Sequence, residues 1–380
     1  MGNNIRFSRS KPYGIIILGA NGSGKSTIGH ELTLTLDFVH FDVEDYWFYK
    51  SDIPYTTIRP KDERNEMLLS DMKKHQLFVV SGDVSGWSDE FLTKFDLAVF
   101  LTAPTEIRIK RIENREYARW GDRVHKGGDM YEANKKFREF ASTRDVDLLE
   151  ESALKYSCPV LHIDGTKTLE KIVDEILVYI NTCDHYDELI DEINDPIRDP
   201  VPLKAYMDKW DGEAFIEMLQ LSPDNSVLEV GVGTGRLAVR VCGKCRRFTG
   251  VDISPKTVER AKENLRVFNN VSIVYGNFLT YSFNEKFDVI YSSLTFMHIQ
   301  NKRAAIQRAA NLLNSGGRFV LSIDKNKQTE IDYANRYGNR KIIVYPDKIE
   351  EITALITDNR LILEKQFETE FAVIFAARKE

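Results

Sequence analysis

Four cysteines in 380 residues leave no disulfide framework to read, which suits a reducing compartment. Cys158 and Cys183 stand alone. Cys242 and Cys245 form a C-x-x-C, but no second pair completes a tetrahedral zinc site. That pair also falls where a turn between a helix and a strand is needed, so it reads as structural. No apolar run approaches the roughly 18 residues that a bilayer span requires. The opening Met1-Gly-Asn-Asn-Ile-Arg6 lacks the hydrophobic core of a signal peptide, and Arg6 stands where myristoylation wants Ser or Thr. The expected location is cytoplasmic, with no membrane partner. No repeat or low-complexity segment occurs. There is also no strong basic excess. Residues 1–183 carry 25 Lys and Arg against 29 Asp and Glu, residues 184–204 carry 2 against 7, and residues 205–380 carry 25 against 22. An extended phosphate-tracking surface needs more positive charge than this, so the balance disfavours a nucleic acid and favours small-molecule substrates.

What remains is the composition of a globular protein, 42% hydrophobic and 29% charged, long enough for two or three domains. Residues 1–12 are polar and read as loose. Short apolar runs recur at Ile15–Leu18, Phe38–Phe41, Leu77–Val80, Leu97–Leu101 and Val160–Ile163, separated by helical stretches that include 25–36 and a closing helix at 169–180. Strands alternating with helices imply a parallel sheet with helices on both faces. Asp195-Pro196, Asp199-Pro200 and Pro202 resist regular helix and follow an acidic, helically patterned stretch, Tyr186–Ile193. A second alternation begins near Phe215. Its strands are expected at Ser226–Val230, Arg247–Val251, Val271–Tyr275, Phe287–Ser292 and Gly317–Ile323, with helices near 235–242, 255–267 and 302–313. The closing runs Leu361–Glu368 and Phe371–Ala377 predict a hairpin added to the sheet.

The run Gly19-Ala20-Asn21-Gly22-Ser23-Gly24-Lys25-Ser26 is a complete P-loop between a strand and a helix. Glycines let successive N–H groups point at the phosphates, and the helix start adds partial positive charge. Lys25 is expected on the β- and γ-phosphates and Ser26 on Mg²⁺, with Gly19, Asn21, Gly22, Ser23, Gly24 and Thr27 completing the ATP-binding set. Downstream, Arg108, Arg111, Arg115 and Arg119 recur at spacings of three or four, one face of a helix. Guanidinium forks suit transferring phosphoryl oxygens. The bland alternative is a solvated face on which Glu106, Glu113 and Glu116 pair with them.

With the strand-Ala103-Pro104-helix segment, the lid-like Arg119-Trp-Gly-Asp-Arg123 and Val160–Thr166, residues 14–180 resemble a small P-loop kinase of the shikimate kinase and adenylate kinase type. The resemblance implies that lid arginines, here Arg119 and Arg123, close over ATP, and that Gly165-Thr166 lies near the adenine; Arg115 and Arg119 are the catalytic candidates among the arginines. It places an acceptor-binding carboxylate after the second strand, at Asp42, which would orient or deprotonate an acceptor hydroxyl. Arg59 is a candidate clamp on an anionic acceptor. The glycine triplet of shikimate kinases is replaced by Ser81-Gly82-Asp83, a departure that counts against shikimate itself and leaves Asp83 a candidate near Mg²⁺.

The second turn is Glu229-Val-Gly231-Val-Gly233-Thr-Gly235. A G-x-G-x-x-G would be shared with NAD proteins; here the third glycine comes one residue earlier, after an acid. Gly250-Val-Asp252 ends the next strand, where a carboxylate meets ribose hydroxyls. Gly276-Asn277-Phe278 and Phe287–Ser293 follow. Residues 205–380 resemble a class I S-adenosylmethionine (SAM) dependent methyltransferase on these motifs. The resemblance implies cofactor contacts from Glu229, Gly231, Gly233, Gly235, Asp252, Asn277, Phe278 and Ser292. Asn277 stands where the family usually carries Asp. His298, past the fourth strand, is the candidate general base; the alternative is a packed or capping histidine.

The expected fold class is therefore α/β, with two α/β/α domains. A P-loop kinase-like parallel sheet (1–183) and a linker or lid segment (184–204) precede a Rossmann-like methyltransferase sheet with a C-terminal antiparallel hairpin (205–380). The expected function is methylation of a small molecule by a chain that also carries an ATP-dependent small-molecule kinase domain. The alternative is a methyltransferase whose P-loop domain regulates it. An RNA-modifying reading is disfavoured by the acidic first domain. Acceptor specificity is expected in the loops 45–66 and 324–344.

Overall fold

The computed structural model describes residues 13–52, 55–325, 330–332 and 341–380. The loose terminus expected at 1–12, and parts of both expected specificity loops, lie outside these residues. The chain divides into two compact units, Met1–Leu177 and Val178–Glu380.

The first unit is an α/β fold. Its strands are β1 (Tyr13–Gly19), β2 (Val39–Asp42), β3 (Leu77–Ser81), β4 (Leu97–Thr102) and β5 (Val160–Asp164). All pair in parallel, in the order β2-β3-β1-β4-β5. Six of the seven residues of β1 are buried, as expected of a central strand covered on both faces. Between the strands run α1 (Lys25–Leu36), α2 (Val43–Trp47), α3 (Lys61–Met72), α4 (Thr105–Trp120), α5 (Tyr131–Ser142) and α6 (Val146–Ala153). Ile16, Leu18, Phe41, Leu68, Val80, Phe91 and Phe100 lie in its core.

Helix α7 (Leu169–Asp191) does not stop at Ile180 as the sequence suggests. No glycine or proline interrupts it, and Thr182 returns its hydroxyl to the Val178 carbonyl at 2.8 Å. Residues 184–191, read from sequence as the start of a linker, continue this helix.

The second unit is a seven-stranded mixed sheet. Its strands are β6 (Ser226–Val230), β7 (Arg247–Asp252), β8 (Val271–Tyr275), β9 (Phe287–Ser293), β10 (Leu313–Asp324), β13 (Leu361–Glu368) and β14 (Ala372–Lys379); β11 (Glu330–Asp332) and β12 (Lys341–Ile343) pair separately. The order is β13-β14-β10-β9-β6-β7-β8. Strands β6 to β10 pair in parallel, and β14 runs antiparallel to both β10 and β13, which is the expected terminal hairpin. The helices are α8 (Val201–Met207), α9 (Gly212–Met218), α10 (Ala238–Val241), α11 (Pro255–Leu265), α12 (Lys302–Leu312) and α13 (Ile349–Asp358). Helix α10 is shorter than the expected 235–242, because a 3-10 turn takes over at Cys242–Lys244. Strand β10 begins four residues earlier than expected, through an irregularity between Leu313 and Arg318.

Both sheets reverse strand order beside their first strand, next to β1 in one unit and between β6 and β9 in the other. Crevices at such switch points, beyond the carboxyl ends of the strands, are where α/β sheets take ligands. Both glycine-rich turns emerge there.

Candidate functional site

In the first unit the P-loop joins β1 to α1. Its outer side is held by α4. Arg108, 1% exposed, donates to the carbonyls of Ala103 at 3.2 Å, Asn21 at 3.1 Å and Ala141 at 3.0 Å, and to the Thr105 hydroxyl at 2.9 Å. Arg111 donates to the Ser23 carbonyl at 3.2 Å. A Cβ on Gly22, at φ +82, would stand 2.4 Å from the Arg108 carbonyl oxygen. The four arginines expected on one face therefore divide in role. Arg108 and Arg111 shape the loop from behind, and Arg115 and Arg119 lie further along α4, with their charges acting on Glu44. We expect Arg108→Met to leave three backbone carbonyls, that of Ala141 buried, without their donor and to destabilise the first unit by about 3 kcal/mol. Calorimetric melting of the full chain reads this as a lower first transition.

Lys25 donates to the Gly19 carbonyl at 2.9 Å and the Ala20 carbonyl at 3.3 Å. Burial of its ammonium lowers its pKa to about 8, against the pull of Glu44 and Asp42. Ser23 is 1% exposed and its hydroxyl has no hydrogen-bond partner. A buried unpaired hydroxyl and a desolvated lysine at a helix start fit a triphosphate and its cation. Ser26 and Thr27 are exposed at the start of α1. Gly165 packs against this loop, an added Cβ lying 3.0 Å from the Ser23 carbonyl oxygen.

Asp42 caps α2, accepting from the Glu44 N–H at 3.0 Å, a structural role that the sequence did not assign to it. Glu44 is the residue that sequence reasoning passed over. Burial and the neighbouring Asp42 raise its pKa, opposed by Arg115, Lys25 and Arg119. The signal was present, since an Asp two residues earlier that caps a short helix fixes where Glu44 stands. Arg115 pairs with Glu116 at 2.8 Å, and Arg119 reaches the Tyr55 hydroxyl at 3.3 Å. Two expected candidates are engaged elsewhere. Arg59 pairs with Glu63 at 2.7 Å and donates to the Tyr46 carbonyl at 3.0 Å, bracing its own loop. Asp83 accepts from the Tyr156 hydroxyl at 3.0 Å and the Ser85 N–H at 2.8 Å.

In the second unit the Glu229–Gly235 turn leaves β6. Asp252, at the end of β7, accepts from the Gly233 N–H at 2.9 Å and the Ser254 N–H at 3.0 Å. Burial nevertheless raises its pKa. Gly233 has φ +55, and an added Cβ would meet nothing within 4 Å. An open cradle beside a half-buried carboxylate fits the ribose of a nucleoside cofactor. The Ser254 hydroxyl in turn donates to Asp187 of α7 at 2.7 Å, which ties that helix to the edge of the site.

Glu229 is 3% exposed and accepts from the Tyr291 hydroxyl at 2.8 Å. Burial pushes its pKa from 4.5 up to about 8, outweighing the Tyr291 bond and the Arg236 charge. A carboxyl whose folded pKa lies above its unfolded value holds an extra proton in the folded state, so its contribution to stability is full below 4.5 and is lost as pH rises through about 8. The cofactor-free protein is therefore expected to lose melting temperature across that window. Glu229→Gln is expected to flatten the dependence, as read by melting scans at stepped pH.

Asp211, 1% exposed, gathers Arg236 at 3.0 Å and the Ser293 hydroxyl at 2.7 Å. Sequence reasoning missed this buried pair because its members lie 25 residues apart without a motif. His298 lies on a 3-10 turn after β9, its Nε2 at 2.8 Å from the Tyr186 hydroxyl. Asn277 accepts from the Leu279 N–H at 3.0 Å, shaping its own turn. Two expected cofactor contacts have side chains committed to the fold. Phe278 is buried in the core, and the Ser292 hydroxyl donates to the Val230 carbonyl at 2.9 Å. Cys242 and Cys245 are buried free thiols, and among the described residues no group of His, Cys, Asp or Glu is arranged to hold a metal. No helix among the described residues is long and apolar enough to cross a membrane.

Comparison with known proteins matches both halves. A methyltransferase domain model matches residues 227–317, and an AAA domain model matches residues 15–136. The chain is 36% identical over 176 residues to "Uncharacterized protein YqaC" of Bacillus subtilis, 44% of this chain and 97% of that protein. It is 36% identical over 123 residues to an "Uncharacterized methyltransferase" of Anoxybacillus flavithermus, 31% of this chain. The match spans 57% of that relative's length. Among solved structures, the N-methyltransferase NodS of Bradyrhizobium japonicum in complex with S-adenosyl-L-homocysteine aligns with 51% of this chain and 98% of its own at 19% identity, with a TM-score of 0.38.

Proposed function

Because the chain belongs to the family of the Bacillus subtilis protein YqaC, and joins a P-loop kinase-like domain to a class I methyltransferase domain, we propose that it is a bifunctional transferase. Its second unit methylates a small-molecule acceptor with SAM, and its first phosphorylates a small molecule with ATP and Mg²⁺. The observation that carries this reading is the pair of turns, each leaving its sheet beside a half-buried ionisable group, Lys25 in one unit and Asp252 in the other.

SAM supplies an already activated methyl group, so the protein has mainly to orient and desolvate. Asp252 accepts the ribose hydroxyls, Asn277 lies at the adenine, and the backbone of Gly231–Gly235 lets the cofactor approach closely. His298, steadied by Tyr186, takes the proton of a hydroxyl or amine acceptor. In the first unit Lys25 and the P-loop N–H groups hold the phosphates, Ser26 holds Mg²⁺, Arg115 and Arg119 neutralise developing charge, and Asp42 with Glu44 orients the acceptor hydroxyl. The acidic first unit supports small molecules over nucleic acid as substrates, and the reading places the protein in the cytoplasm.

The test is a metabolite extract incubated with the full chain and with SAM labelled in its methyl group or ATP labelled in its γ-phosphate. Label from each donor in small molecules is the expected result. Methyl label without phosphate label would reduce the first unit to a nucleotide-binding regulatory module. No methyl label in any small molecule would contradict the proposal.

A further inference from the structure

Among the described residues two arginines are buried, Arg64 and Arg108, and Arg236 is half-buried. Arg236 forks onto Asp211, and Arg108 has four acceptors. Arg64 of α3, 8% exposed, has none among the described residues. Its guanidinium carbon lies 3.7 Å from the ring centroid of Trp47 and 4.8 Å from that of Trp87. The two indoles are 5.5 Å apart and inclined at 51°. Its Nε is buried without a hydrogen-bond partner. Among the described residues no carboxylate pairs with it, and burial alone shifts its pKa.

Two more polar atoms beside it are in the same condition. Trp87, 2% exposed, has a buried Nε1–H without a partner. Asn65 donates its Nδ2 to the Trp87 carbonyl at 3.0 Å, which leaves its Oδ1, buried and unpartnered. Two donors and one acceptor are thus gathered around Trp87, one of them carrying a full charge. Burying a charge without a counter-ion is costly, and native interiors keep few unpaired polar groups. Aromatic faces accept a guanidinium but do not neutralise it.

We propose that Trp47, Arg64, Asn65 and Trp87 form a second binding pocket of the first unit, which takes the oxyanion of a small molecule that also carries a hydroxyl or amino group. The oxyanion, a carboxylate or a phosphate, satisfies Arg64 and the Trp87 indole, and the hydroxyl or amine donates to Asn65. Trp47 ends α2, three residues after Glu44, which sets the pocket about one helical turn from the Glu44 carboxylate. As the seat of the acceptor it rests on the kinase reading above; as an anion site it stands alone.

The test uses the full chain saturated with ADP and Mg²⁺, so that the P-loop is filled. Inorganic phosphate and L-malate are titrated separately, and intrinsic tryptophan fluorescence is followed. The expected result is a saturable change with at least one anion, with its apparent Kd raised tenfold or more in Arg64→Gln and in Asn65→Asp. Saturation by phosphate alone assigns a phosphorylated ligand, and by malate alone a hydroxy acid. Absence of any saturable change, or a response in Arg64→Gln equal to that of the native protein, overturns the proposal. If Arg64→Gln does not fold, Asn65→Asp decides in the same way. ADP affinity is measured alongside in each variant. A chain that does not bind ADP contradicts the nucleotide reading, while the Arg64-dependent change still judges the pocket.

Discussion

Replacing Asp252 by Ala is expected to weaken SAM binding by about 10²–10⁴-fold, because two hydrogen bonds to a charged acceptor contribute about 1.5–3 kcal/mol each. The native carboxylate is prepared for this. The Gly233 and Ser254 N–H groups fix its two oxygens. The second unit should still fold in the variant, since the β7 register does not depend on the side chain. Isothermal titration with SAM checks the affinity, and circular dichroism checks the fold. A loss of less than about fivefold, roughly 1 kcal/mol, would mean that the ribose is held elsewhere.

Lys25→Met is expected to lower phosphoryl transfer by about 10²–10³-fold, the usual cost of removing one aimed donor from a developing charge. It should weaken ATP binding as well. The native lysine adds a pH signature. Burial lowers its pKa to about 8, and triphosphate binding favours the charged form. ATP affinity is therefore expected to fall as pH rises above about 8, by up to tenfold per pH unit, and Lys25→Met should abolish that slope. Titrations at stepped pH between 7 and about 10 read both effects. An unchanged slope in the variant would assign the titration to another group.

Much of this architecture was legible in the sequence because its two signals are local. The P-loop and the Glu229–Gly235 turn each need glycines at fixed offsets between a strand and a helix, so motif, fold and ligand class arrive together. The alternation of apolar runs located the strands of both sheets to within a few residues. What escaped depends on contacts between distant segments. Helix α7 continues past Ile180 because nothing in its sequence stops it before the prolines that begin at Pro196. The arginines of α4 share a face by spacing, yet only the packing of that face on the P-loop separates Arg108 and Arg111, which donate to backbone carbonyls, from Arg115 and Arg119. Arg59 looked like an anion clamp until its partner Glu63 appeared one helical turn away. Arg64 carried no signal at all, because its distinction is the absence of a partner. Asp211 and Arg236 are likewise ordinary in sequence and meet only when the sheet closes.

The most direct test of the account is isothermal titration of the full chain with SAM and with ATP·Mg²⁺, each alone and in the presence of the other. Two saturable binding events at one site each are expected, with the SAM event strongly weakened in Asp252→Ala and the ATP event strongly weakened in Lys25→Met. Failure of SAM to bind the native chain would contradict the central claim, whatever the P-loop does.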